Sequence, residues 1–255
     1  MRRDSPDVWT FTVTEQLVTP GHFLFGGCGL AAGIVALEGA SERPTIWASA
    51  QYLSYATLGA EVKVSTELLV EGGHVTQARA TARVDDREIL TVNAALGTGT
   101  LSVPPTRLMP EVPAPEQCPE LERPWDIDRS IFQHVDCRVA TLHHDGEVDS
   151  ADASQLHAIW SRIPGHLEPS AATLAIFGDF VAGGVSQLLG RPTRGRSLDN
   201  TIRMVTLEPT EWVLCEIRMH ALSGGFAQGT AFLWSRSGTL LATASQSIAA
   251  MIHVP

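Results

Sequence analysis

Lysine is almost missing from this chain: of 18 basic residues only Lys63 is a lysine, and 28 acidic residues leave a formal net charge of −10. A field of that sign excludes a general nucleic-acid binder, which needs positive potential along the phosphates. Cysteine is also scarce. Cys28, Cys118, Cys137 and Cys215 form no CxxC pair and share no metal-ligand spacing with histidine, so they read as free thiols in a reducing compartment, with no metal and no cofactor expected. No Gly-x-Ser-x-Gly elbow is present, which disfavours an α/β-hydrolase nucleophile. Glycines 26, 27 and 29 form no phosphate-binding fingerprint, because no parallel βαβ unit surrounds them. Met1 to Asp7 carries charges with no apolar run behind them, unlike a signal peptide. The apolar stretch Phe23–Leu37 is shorter than the roughly 20 residues of a spanning helix. The expectation is a cytoplasmic protein with no membrane span.

What is present suits a globular core: 44% hydrophobic and 18% charged residues. A length of 255 residues allows one large or two small domains. Trp9–Val18 alternates as a strand, and Pro20-Gly21 breaks it. His22–Leu37 is apolar all round, as a buried helix is. Four strands are expected next, Trp47–Tyr55, Glu61–Val70, His74–Val84 and Glu88–Gly97. In the third, Ala78, Ala80 and Ala82 oppose Gln77, Arg79 and Thr81. Glu71-Gly72-Gly73 and Asp85-Asp86-Arg87 are hairpin turns.

A proline-rich stretch, Pro104 to Pro124, interrupts all periodicity and reads as a linker outside both cores. Beyond it the order returns: a strand at Ile131–Leu142, a long connection from Asp145 to Pro169, a buried-type helix at Thr173–Leu189, then strands at Ser197–Leu207, Glu211–Leu222, Phe226–Arg236 and Thr239–His253. One strand, an apolar helix and four antiparallel strands is the order of the hotdog fold, a sheet wrapped around a helix. Found twice, it implies an α+β tandem: an N-terminal hotdog over 1–103, a linker over 104–129 and a C-terminal hotdog over 130–255.

Phe25-Gly26-Gly27, Phe177-Gly178-Asp179, Glu211-Trp212, Gly225-Phe226, Gly238-Thr239-Leu240-Leu241 and Thr243-Ala244-Ser245-Gln246, in that order and spacing, resemble the acyl-CoA thioesterase II family. The resemblance runs from about Gly21 to the C-terminus and is weakest across the linker. It implies a double-hotdog enzyme of lipid metabolism that hydrolyses acyl-CoA thioesters, with acyl-CoA as its partner and homo-oligomers of such chains compatible with it. The family's aspartate, threonine and glutamine fall on Asp179, Ser197 and Gln246. Where the family has a histidine and a Phe-Leu-Arg-Pro-Gly run, this chain has Gln51-Tyr52-Leu53 and Thr57-Leu58-Gly59.

The residues carry part of this independently. Asp179 is the only charge in an apolar helix, and a buried carboxylate must be paired, hydrogen-bonded, protonated or solvated. An ion pair with Arg203 is the structural alternative to a site. Gln246 shares an apolar strand face with Leu240, Ala242, Ala244 and Ile248, so it should point inward, as a site group or as a satisfied core amide. Simple alternation turns Ser197 outward with Asp199 and Thr201, unless a bulge turns it in or Asn200 takes its place. His220 alternates with Glu216 and Arg218 and reads as solvated, and His143-His144 lies in a turn without further ligands. The expected mechanism is direct hydrolysis. Asp179 activates a water held by Ser197 and Gln246, and backbone N–H groups at Gly27 and Cys28 stabilise the oxyanion. The rival readings are a hotdog that binds acyl ligands without cleaving them, or a dehydratase, for which His22 lacks an aspartate partner.

Overall fold

The computed structural model describes residues 1–103, 106–123, 126–141, 156–166, 168–191 and 193–251. His143-His144, Asp145, the linker ends Pro104 and Pro124, and His253 lie outside the described residues.

The first half contains strands β1 (Arg2–Ser5) and β2 (Val8–Thr12), helix α1 (Gly26–Ser41), and strands β3 (Thr45–Tyr52), β4 (Glu61–Glu71), β5 (Val75–Val84) and β6 (Arg87–Gly97). The helix starts at Gly26 and not at His22, whose backbone sits at a left-handed φ of 59°. Most of α1 is covered by sheet or by the other half, with Val35 exposed, which is why its sequence shows no polar stripe. Its small residues allow that closeness: Leu90 and Val92 of β6 press where Gly29 and Gly33 have no side chain. Burial alternates along β5 as its sequence implies, Ala78, Ala80 and Ala82 inward, Gln77 and Arg79 outward.

The second half has β7 (Asp136–Thr141), β8 (Leu156–Arg162), helix α2 (Ala171–Gly178), a 3-10 turn (Asp179–Gly183), helix α3 (Gly184–Leu188), and strands β9 (Arg194–Ser197), β10 (Asp199–Met204), β11 (Val213–Ser223), β12 (Phe226–Ser235) and β13 (Leu240–Met251). Two expectations need correction here. The single helix over Thr173–Leu189 is two short helices separated by a tightened turn that begins at Asp179. The segment expected as a long connection contains β8, and β8, not Ile131–Leu142, matches the strand that precedes the helix in the first half. Of that expected strand only Asp136–Thr141 forms, as β7, and Ile131–Gln133 is a 3-10 turn.

The strand order shows the duplication: β1-β2-β4-β5-β6-β3 continues into β10-β13-β12-β11-β8-β7, with β9 beside β13. The two sheets meet where β3 pairs antiparallel with β10, from Asp199 opposite Gln51 to Arg203 opposite Trp47. Ser49 and Thr201 hydroxyls, 2.7 Å apart, close that seam on one face. The chain is a tandem hotdog with one continuous antiparallel sheet. The run Ala171–Leu188 is long and apolar enough to cross a membrane by composition, but much of it is buried against this sheet.

The proline-rich segment is not loose. It covers the outer face of the second sheet, where Cys118 joins Ala158, Trp160, Trp212, Leu214 and Trp234 in a second apolar cluster. Trp160 Nε1 donates to Pro113 O at 2.9 Å, and Val139 N donates to Pro119 O at 2.8 Å. Arg107 reaches the fully buried Glu216, which also accepts from Arg218 Nε (2.9 Å) and Trp234 Nε1 (2.9 Å). A carboxylate sealed under this segment loses solvation and depends on these donors. Arg107→Ala is therefore expected to lower stability by about 1–3 kcal/mol in urea unfolding. The loss should shrink in a Glu216→Gln background, and additive effects in that double-mutant cycle would refute the coupling.

Candidate active site

The site forms where the turn after α2 meets the start of α1. At an α-helix N-terminus the first N–H groups have no intrahelical acceptor, and Phe25, the N-cap residue of α1, offers no side-chain acceptor. Asp179 supplies one from the other half of the chain: its Oδ2 accepts from Gly27 N at 2.6 Å. The positive end of the helix dipole favours a carboxylate there. The approach requires glycine. A Cβ on Gly27 would stand 2.8 Å from Ile176 Cα, and one on Gly26 would stand 2.8 Å from Asp179 Oδ2 and 3.0 Å from Tyr52 Oη.

The second carboxylate oxygen, Oδ1, faces the sheet. Gln246 Nε2 from β13 donates to it closely, and Ser197 Oγ and Asn200 Nδ2 approach at 3.5 and 3.4 Å. Gln246 Nε2 also donates to Ser197 Oγ at 2.8 Å. Gln246 points inward, on the face shared by Ala244 and Ile248, and is 3% exposed.

Ser197 and Asn200 both face in because the strand slips by one residue between them. Ser197 pairs with Ile248 of β13, whereas Thr201 pairs with Ser245, so four steps on one strand oppose three on the other. This is a β-bulge, which re-aims side chains near a site. Its loose backbone groups are all used: Leu198 N donates to Ser247 O, Ser247 N to Asp199 Oδ1, and Tyr52 N to Leu198 O.

No lysine or arginine among the described residues pairs with Asp179. Arg203 is exposed on the other face of β10. Burial is the largest influence on the carboxyl and raises its pKa to about 7, while the donors from Gly27, Gln246, Ser197 and Asn200 pull the other way. Burial first, and then the Asp179 charge, also push up the Cys28 thiol and hold the Tyr52 phenol well above its usual range. Three buried oxygens close to Asp179, Tyr52 Oη, Asn200 Oδ1 and Gln246 Oε1, have no hydrogen-bond partner among the described residues. Asn200 lies near enough to ease the Tyr52 phenol slightly, but not in hydrogen-bond geometry with it.

Asp179, Ser197 and Gln246 thus come together, and Gly27 joins them through its N–H. That N–H is already given to Asp179, which leaves Cys28 as the next backbone donor. Tyr52 and Asn200 belong to the same cluster. Asn200 was legible as a polar residue on an apolar strand face, and Tyr52 only as a departure from a resembled family. His220 is exposed and bonded to Thr230 at 3.0 Å, away from this cluster.

A tandem hotdog with a carboxylate lodged at the start of one central helix defines the class. Two family models match the chain: the acyl-CoA thioesterase N-terminal domain over residues 14–98 and the C-terminal domain over residues 115–250. The chain belongs to the acyl-CoA thioesterase family, and it is a thioesterase. A crystal structure of a candidate thioesterase from Novosphingobium aromaticivorans is 30% identical, with a TM-score of 0.88 and 97% of each chain covered. Two others share the fold. A hot dog fold protein from Alicyclobacillus acidocaldarius is 21% identical, covering 99% of this chain and 96% of that one, with TM-score 0.85. The tesB protein of Mycobacterium avium subs paratuberculosis is 18% identical, covering 98% and 95%, with TM-score 0.82. A search of the curated proteins found no match.

The raised pKa of Asp179 makes stability depend on pH. The folded value, about 7, lies above the 3.8 of the free side chain. The folded chain therefore favours the protonated form, and the contribution of Asp179 to stability is greatest below about pH 4 and falls as pH rises toward 7. Asp179→Asn removes that penalty, since Gln246 can turn its unpartnered oxygen toward the new amide. Relative to the parent, the variant is expected to gain on the order of 2–4 kcal/mol between pH 4 and pH 8. Denaturation midpoints that shift equally with pH in both proteins would contradict it.

Proposed function

We propose that this thioesterase hydrolyses acyl-CoA thioesters to a free acid and CoA by direct attack of water, with Asp179 as general base. The observation that carries the proposal is a buried carboxylate with no cationic partner among the described residues and a pKa near neutrality, ringed by four donors. A base poised near the working pH combines the right protonation state with enough driving force. Ser197 and Gln246, already in contact with each other and with Asp179, hold the water. Its oxygen bonds to the thioester carbonyl carbon while Asp179 takes its proton. The C–S bond then breaks, and the departing thiolate recovers the proton from Asp179.

No acyl-enzyme is needed. The Cys28 thiol is buried and held protonated, the state least able to attack. Among the described residues Ser197 has no histidine beside it, and its hydroxyl accepts from Gln246. The carbonyl oxygen meets the start of α1, where the Cys28 N–H follows the one committed to Asp179. Phe25, Phe132, Phe177 and Phe180, with neighbouring ring centroids 5.6–6.3 Å apart, form an apolar wall next to Asp179 suited to an acyl group.

The test is release of free thiol from a panel of acyl-CoAs of different chain length. The parent should turn over at least one of them, with kcat/KM rising through about pH 7 as Asp179 ionises. Asp179→Asn should lower turnover on the order of 100-fold or more while remaining folded. Near-parental turnover in that variant would remove Asp179 as the base.

A further inference from the structure

A tetrahedral oxyanion needs aimed donors, and the start of α1 is short of one. Gly29 is the first residue whose N–H turns back into the helix, to Phe25 O at 3.1 Å. Gly27 N is spent on Asp179. Across this gap stands Tyr52, at the end of β3 in the first half. Its backbone is pinned to the bulge of the second half by the 3.0 Å bond to Leu198 O, and its neighbour Gln51 pairs with Asp199. The hydroxyl is buried and has no hydrogen-bond partner among the described residues. A buried polar atom without a partner is costly, so its retention asks for a ligand that completes it. Tyr52 Oη and Asp179 Oδ2 converge on the position that a side chain at residue 26 would take, 3.0 and 2.8 Å from it, so glycine there lets the two oxygens come together over the start of α1.

We propose that Tyr52 is a further catalytic residue: its hydroxyl donates to the thioester carbonyl oxygen as that oxygen becomes an anion, replacing the donor that Gly27 commits to Asp179. This rests on the hydrolytic reading of the Asp179 site. The phenol is suited to the task because burial and the nearby carboxylate keep it protonated. It therefore remains a donor through the pH range in which Asp179 ionises. Asp179 Oδ2 and Tyr52 Oη thus flank one point above Gly26, at 2.8 and 3.0 Å, one contributed by each half of the chain.

Tyr52→Phe keeps the ring and removes only the donor. On the best acyl-CoA, kcat should fall about 100-fold. KM should stay within about threefold and the acid limb of the pH–rate profile should not move, because Asp179 keeps all its partners. Near-parental kcat in Tyr52→Phe overturns the proposal. A fall in kcat with a displaced acid limb also overturns it, since Tyr52 would then act through Asp179. A parent that cleaves no acyl-CoA refutes the hydrolytic reading itself and leaves Tyr52 to a second measurement. An S-(2-oxoalkyl)-CoA ketone labelled with 13C at its carbonyl is bound to each protein and read by infrared. The band should lie at lower frequency in the parent than in Tyr52→Phe, and the same frequency in both refutes donation.

Discussion

The carboxylate of Asp179 lies on the N-terminus of α1, and much else in the molecule is arranged to permit that contact. A charge placed there is stabilised by a free backbone N–H and by the helix dipole, yet it remains buried beside aromatic rings with no cation paired to it among the described residues. The result is a group balanced between its two protonation states. The requirement propagates outward. Gly26 and Gly27 must lack side chains, α2 must tighten into a 3-10 turn to carry Asp179 forward, and the crossing helices must touch at Ile176.

The sheet holds the opposite side of the same site. Because β3 and β10 pair directly, the end of β3 brings Tyr52 to the bulge that turns Ser197 and Asn200 inward. The one-residue slip is not a loose end, since every backbone group it frees is taken by Ser247, Asp199 or Tyr52. A regular ladder would have sent Ser197 to solvent. Irregularity in the strand is thus what lets three elements aim at one carboxylate oxygen.

Most of the architecture was legible because it obeys simple periods: alternation along β5 and β6, and an unbroken apolar run for α1. The failures have physical causes. Strand β8 was hidden because both of its faces are buried, Ala158 and Trp160 under the proline-rich segment and Ile159 and Ser161 toward the helix, so polar–apolar alternation vanished. The proline-rich segment has no period of its own, and nothing local reveals that it covers a sheet. In the site, Asp179 and Gln246 stood out because each breaks an apolar pattern. Ser197 required a slip that alternation cannot report, and the unpartnered hydroxyl of Tyr52 exists only once both halves are assembled.

The start of α2 contrasts with that of α1. Ser170 accepts from Thr173 N at 3.1 Å, His166 contacts the Thr173 hydroxyl, and among the described residues no carboxylate from the first half approaches. Of two places made alike by duplication, one is closed by its own side chains and the other is completed by its twin. In the proposed mechanism neither repeat carries a complete centre, because Gly27 comes from one and Asp179, Ser197 and Gln246 from the other. The tandem chain keeps both contributions in one polypeptide, joined through the β3–β10 seam, so dissociation into subunits cannot separate them.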